Sequence, residues 1–125
     1  VVKEGVNAIT YYRVLRKFSN FTFLKLLLET GKTHQIRVHM QYISHNILGD
    51  TLYNKIGIND FFDHKLKYIF KRIKRQILHA NKLIIKHPYT DRCMMWDISL
   101  YNDFNDLLIE LKLYDDYMKK YKKLV

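Results

Sequence analysis

The sequence is poor in the residues that usually punctuate or staple a fold: its 125 residues include one cysteine, one proline and four glycines. The lone Cys93 can form no internal disulfide and supplies no cysteine-based zinc site, so the chain fits a reducing compartment or a fold that needs no disulfide. An intracellular setting is expected, and nothing separates cytoplasm from organelle. No Gly/Ser/Pro-rich linker or internal repeat divides the text, which argues against a second domain. No long apolar run and no secretory signal pattern is present, so no membrane is expected as a partner. Acidic residues are scarce relative to basic ones, 12 against 22, for a formal net charge of +10. That excess predicts attraction to a polyanion, with nucleic acid favoured over a membrane surface. The remainder is ordinary for a globular domain, 48% hydrophobic and 27% charged, which excludes disorder over most of the length.

The periodicities suggest an α+β chain. Ala8 to Phe18 and Phe21 to Glu29 read as strands joined through Ser19-Asn20, with Leu24, Leu26 and Leu28 on a core face and Lys25 and Glu29 on a wetter one. Thr33 to Ile43 has helical spacing, with Ile36, Met40 and Ile43 on one side and His34, Arg37 and Gln41 on another. Asn59 to Arg75 is a second helical candidate, carrying Phe62, Leu66, Ile69 and Ile73 among the densest run of lysine and arginine. Lys82 to Lys86 and Cys93 to Leu100 read as strands around the turn His87 to Asp91, with Met94, Trp96, Ile98 and Leu100 on one face. A last helix is predicted over Asp103 to Leu113, capped by Asn102 or Asp103.

The segment richest in chemistry runs from Gly31 to Met40. A turn, a cation, hydrogen-bonding side chains and an arginine come together where a helix begins, a pattern suited to anion recognition. Gly31-Lys32-Thr33 is not a P-loop, because the strand before it has no glycine at the Walker spacing. His34 and His39 lie five apart, do not share a helix face and have no carboxylate or cysteine to complete a ligand set, so no metal is expected.

Four blocks in order resemble the RluA-type pseudouridine synthases: Ala8, Thr10 and Tyr12; Thr30 through His39; His45, Gly49, Asp50 and Tyr53; and Arg75, Gln76, Leu78, His79, Ala80, Leu83, His87 and Pro88. The resemblance covers about Ala8 to Leu111. It departs from the family pattern at Lys32, where arginine is usual, and at Ser44-His45-Asn46, where Gly-His-Pro is usual. The resemblance implies a mixed, mainly antiparallel sheet flanked by helices, with residues 1–125 as the C-terminal part of a catalytic domain. The family's nucleophilic aspartate sits in a His-Arg-Leu-Asp type motif that this sequence does not contain.

The implied activity is isomerisation of uridine to pseudouridine in structured ribosomal or transfer RNA, without cofactor or metal, by a full-length protein expected to be monomeric. Arg37 is then the catalytic candidate, placed opposite the missing aspartate, because a guanidinium compensates a carboxylate in a dry pocket. Lys32, Thr33, His34 and Gln35, together with Lys71, Arg72, Lys74 and Arg75, are the candidate RNA contacts. Asp50 reads as a turn cap and His79 and His87 as turn-fixing histidines. Tyr114, Tyr117 and Tyr121 read as one side of an amphipathic helix, with base stacking as the other use of such rings. The alternative is a non-catalytic basic RNA-binding module; a basic membrane-surface domain lacks exposed apolar anchors.

Overall fold

A computed structural model describes Gly5, residues 7–53 and residues 63–122, with side chains to residue 120. Strand β1 (Thr10–Lys17) pairs antiparallel with β2 (Thr22–Leu28), Tyr12 opposite Leu26 and Val14 opposite Leu24. The turn is closed by the Phe18 amide donating to the Phe21 carbonyl at 2.8 Å. A bulge between Val14 and Arg16 leaves Leu15 out of the register and sharpens the local twist. The hairpin is covered in part on both faces. Helix α1 (Gln35–Tyr42) approaches the Thr10 face, where Leu24 and Leu26 are half-buried, while Phe23 on the other face stacks at a tilt on Phe104, centroids 5.7 Å apart. Leu28, expected on a core face, remains 44% exposed.

The core lies between two helices and the hairpin turn. Helix α2 (His64–Lys71) contributes Leu66, Ile69 and Phe70, and α3 (Asn102–Lys122) contributes Leu107, Leu111 and Tyr114, with Phe18 reaching in from the hairpin. The spacings of three, four and seven residues put each set on one helical stripe. Asp63 starts α2 by accepting from the Lys65 and Leu66 amides, and Tyr114 donates its hydroxyl to the same carboxylate at 3.1 Å. The helix ends where the Arg72 and Ile73 amides bond back three residues, to Ile69 and Phe70, a tightened last turn. It is thus shorter than the predicted Asn59 to Arg75, whose Asn59 to Phe62 lie outside the described residues. α3 is longer than predicted, because Tyr114 and Met118 continue the stripe past Leu113. Asn102 and Asp103 are already within it rather than capping it.

β3 (Lys82–Lys86) and β4 (Cys93–Asp97) form a second antiparallel pair, Ile84 opposite Met95. The class is therefore α+β with antiparallel strands and flanking helices, and among the described residues the strands form two separate two-stranded sheets. His87 organises the β3–β4 turn, its Nδ1 accepting from the Tyr89 and Thr90 amides at 3.2 and 3.3 Å, while Asp91 takes a left-handed φ of 57°. His79 differs from expectation: its ring stands edge-on to Tyr101 with centroids 4.2 Å apart, and neither buried ring nitrogen has a hydrogen-bond partner. Trp96 and Ile98, expected on a core face, are exposed, as are Leu83, Ile84 and Met95. No helix among the described residues is long and apolar enough to cross a membrane.

Two of the sequence blocks are pressed together by a glycine. The Ile77 amide donates to the Leu48 carbonyl at 2.7 Å, and next to that bond Gly49 sits at φ +80°. A Cβ there would lie 2.2 Å from the Arg75 carbonyl oxygen and 2.9 Å from Ile73 Cγ2. Both the backbone angle and the space demand glycine. Gly31, by contrast, has nothing within 4 Å of a would-be Cβ. Gly49→Ala is therefore expected to lose at least about 2 kcal/mol in urea unfolding, and Gly31→Ala to stay within about 0.5 kcal/mol of the parent chain.

Candidate functional site

The site is built around the start of α1. Gln35, 5% exposed, accepts through Oε1 from the Thr30 hydroxyl at 2.7 Å and the Lys32 amide at 3.0 Å. Its Nε2 donates to the Ile9 carbonyl at 3.0 Å and the Thr10 hydroxyl at 2.9 Å. Thr10 Oγ1 is also 2.8 Å from His39 Nδ1, and the Ile9 amide donates to Thr30 Oγ1 at 3.0 Å. One amide side chain thus ties α1, the Thr30 turn and β1 together. Gln35 was a candidate RNA contact; its hydrogen-bonding atoms are instead engaged within the protein, which anchors the helix.

Arg37, one turn on, meets Asp50. Its Nε donates to Oδ2 at 2.9 Å and its Nη2 to Oδ1 at 2.8 Å, a two-point clasp with side chains 17% and 1% exposed. Asp50 Oδ1 also accepts from the Leu52 and Tyr53 amides at 3.0 and 3.2 Å. The predicted cap is present and the carboxylate does more than cap. Hydrogen bonding to Arg37, helped by the two amides, draws the Asp50 carboxyl down to about 2, although burial works in the opposite sense. The same clasp raises the Arg37 guanidinium above its ordinary value. Asp50 is buried, and both of its oxygens already accept from donors of the protein.

Tyr53 closes the cluster. Its ring lies 5.1 Å from the Arg37 guanidinium carbon, and its hydroxyl is 3.0 Å from His34 Nδ1. His34, at the N-cap of α1, holds the left-handed φ of 52° and makes no side-chain capping bond, so its ring is directed at Tyr53. Asn46, standing where proline is usual in the resembled family, donates from Nδ2 to the Tyr53 carbonyl at 2.8 Å and so supplies a tether of another kind. Lys32 and Thr33 lie exposed beside this cluster. Tyr53 had no assigned role in the sequence; the Asp50-x-x-Tyr53 spacing, which turns both side chains toward Arg37, was the available signal.

The second group of candidate RNA contacts divides. Arg72 forms an ion pair with Glu110, and Arg75 clasps Asp103 through Nε and Nη2, both at 2.8 Å. These two arginines brace α3, while Lys71 and Lys74 are exposed. Tyr114 is buried in the core rather than offered for stacking, and the side chain of Tyr121 lies outside the described residues. Among the described residues no group of three or more His, Cys, Asp or Glu is arranged to hold a metal ion.

The buried clasp has a measurable signature. Removing one partner leaves an uncompensated buried charge, so Asp50→Ala should cost roughly 3 kcal/mol at neutral pH. Because the folded-state value of Asp50 lies below its ordinary 3.8, its contribution is complete above the ordinary value and is lost as pH falls toward about 2. The stability gap between the parent chain and Asp50→Asn, read by urea unfolding, should be constant from pH 7 to 5 and narrow from pH 4 to 2.

The profile of the family described as RNA pseudouridylate synthase matches residues 2–42, which contain β1, β2 and α1. A ribosomal large subunit pseudouridine synthase D of Haemophilus influenzae is 41% identical over 126 residues, covering 96% of this chain and 37% of that protein. Proteins of the same name from Buchnera aphidicola (subspecies Schizaphis graminum) and Pseudomonas aeruginosa are 42% and 40% identical, covering 86% and 90% of this chain and 35% of each relative. The chain spans just over a third of the length of these curated relatives. The clasped arginine, the Asp50 turn and the helix-anchoring glutamine all lie in the segments these relatives share with it, and the chain belongs to the RluA-type pseudouridine synthase family.

Proposed function

We propose that the chain serves as part of an RNA pseudouridine synthase acting on ribosomal RNA. The observation that carries this reading is the Arg37 guanidinium, clasped along one edge by Asp50 while its Nη1 makes no hydrogen bond among the described residues. A fork with five N–H donors can serve a second carboxylate on the remaining edge. In this reading that carboxylate is the nucleophilic aspartate of the family, supplied by polypeptide outside these 125 residues. Its carboxylate oxygen bonds to C1′ of a uridine flipped out of its stack as the N1–C1′ bond breaks; C5 of the turned base then bonds to C1′ and displaces the carboxylate, after which C5 loses its proton and N1 gains one. Ribosomal RNA is favoured over transfer RNA because the relatives carry ribosomal large subunit in their names.

Lys32 and Thr33 at the start of α1, with Lys71 and Lys74 at the end of α2, remain exposed for phosphate contact. Arg72 and Arg75 are second-rank contacts, since binding RNA would compete with their carboxylate partners. The isolated chain, a monomer without metal or cofactor in this proposal, binds RNA without turning it over.

The test is pseudouridine mapping on ribosomal RNA in cells with and without the full-length protein. Arg37→Ala in that protein should lower turnover at least about 100-fold, and near-normal turnover would sink the reading. Retained RNA binding with no modification by the full-length protein would favour a non-catalytic binding module. A separate measurement addresses the lysines: Lys71→Ala and Lys74→Ala should each reduce the slope of log affinity against log salt by about 1 in anisotropy titrations with a structured RNA.

A further inference from the structure

We infer that Asp50 is a positioning residue, holding the Arg37 guanidinium in one orientation by its Nε and Nη2 edge so that the Nη1 edge is set in advance for a reacting carboxylate. The inference rests on the function proposed above and assigns a role to a residue that does not itself touch the reacting atoms. A turn cap alone does not account for the geometry. Capping the Leu52 and Tyr53 amides uses only Oδ1, a task that an asparagine side-chain oxygen performs equally. Oδ2 has no part in the cap and is committed to Arg37 Nε at 2.9 Å.

The surroundings reinforce the clasp. An arginine side chain carries about 2 kcal/mol of rotamer entropy, which must be lost whenever the fork is to meet a partner in one geometry. Here that freedom is already removed: Asp50 grips one edge, and the Tyr53 ring lies 5.1 Å from the guanidinium carbon. Tyr53 is itself held, by His34 at its hydroxyl and by Asn46 at its carbonyl. Asp50 in turn is fixed by the backbone around Gly49, which packs on the Arg75 carbonyl. A functional group set in place by neighbours that are themselves set is the arrangement that preorganisation requires.

The experiment has two arms. In the 125-residue chain, side-chain nitrogen-proton NMR should show a slowly exchanging Arg37 Nε–H signal that collapses in Asp50→Asn while the backbone amide spectrum stays dispersed. In the full-length protein, Asp50→Asn should lower kcat at least about tenfold with KM within about twofold, and Arg37→Lys, which keeps the charge and loses the fork, should do the same. If Asp50→Asn fails to fold, Asp50→Glu provides the test, since it keeps the charge, displaces it by one methylene and should give the same fall in kcat. Should the Arg37 signal collapse while kcat stays within about twofold, Asp50 is a cap only and the inference is overturned. Full activity of Arg37→Ala would instead overturn the functional reading beneath it.

Discussion

The local structure is organised by one demand: the Asp50 carboxylate, 1% exposed, must keep its charge away from water. Burying an isolated carboxylate is prohibitive, so its lone pairs are filled by four donors, two from Arg37 and two from the turn that follows it. Each donor imposes a further constraint. The amides of Leu52 and Tyr53 require the chain to fold back immediately after Asp50. The guanidinium requires α1 to be held in register, which Gln35 achieves by tying it to β1 and the Thr30 turn. The approach to Asp50 requires Gly49, whose positive φ lets the Arg75 segment pass against it. Four sequence blocks that are separate in the chain thus meet through the needs of one charge.

Much of this architecture could be read from residue patterns. The alternation in β1 through β4 and the helical spacing around Met40, Leu66 and Leu107 depend on neighbours within a few residues, and the elements appear where those patterns lie. Features that depend on distant partners were not legible. Nothing local to Arg72 or Arg75 reveals that their counter-charges, Glu110 and Asp103, stand 38 and 28 residues away on α3. The spacing of Tyr114, Tyr117 and Tyr121 reads as a helix side, but that it continues the same helix as Leu107 and Leu111 follows from Tyr114 and Met118 joining one core. The Asp115 carboxylate even reaches back to the Ser19 amide at 3.1 Å.

The candidate site was legible in outline and opaque in its pairing. Arg37 was marked by its block and Asp50 by its turn, yet their union depends on the path of residues 43–53, where Ser44 and Gly49 both take positive φ. Gln35 shows how composition misleads: a polar residue beside a cation at a helix start looks like a surface contact and is in fact a buried tether. Charge counting is similarly blunt, because a net figure does not say which cations are already matched, and Arg72 and Arg75 are held by carboxylates on α3.

The sequence distance between Arg37 and Asp50 bears on how the site comes into being. They are 13 residues apart, whereas the bonds that draw the hairpin turn and α2 onto α3 bridge 96 and 51 residues, from Ser19 to Asp115 and from Asp63 to Tyr114. The entropic cost of closing a loop grows only with the logarithm of its length, yet short loops close in well under a microsecond. The guanidinium clasp can therefore be sampled while the chain is still emerging and long-range packing is absent. Gly49 beside the clasp meets the Arg75 carbonyl, and Leu48 packs on the core shared by α2 and α3, so quick local contact is followed by packing that arrives with the later chain.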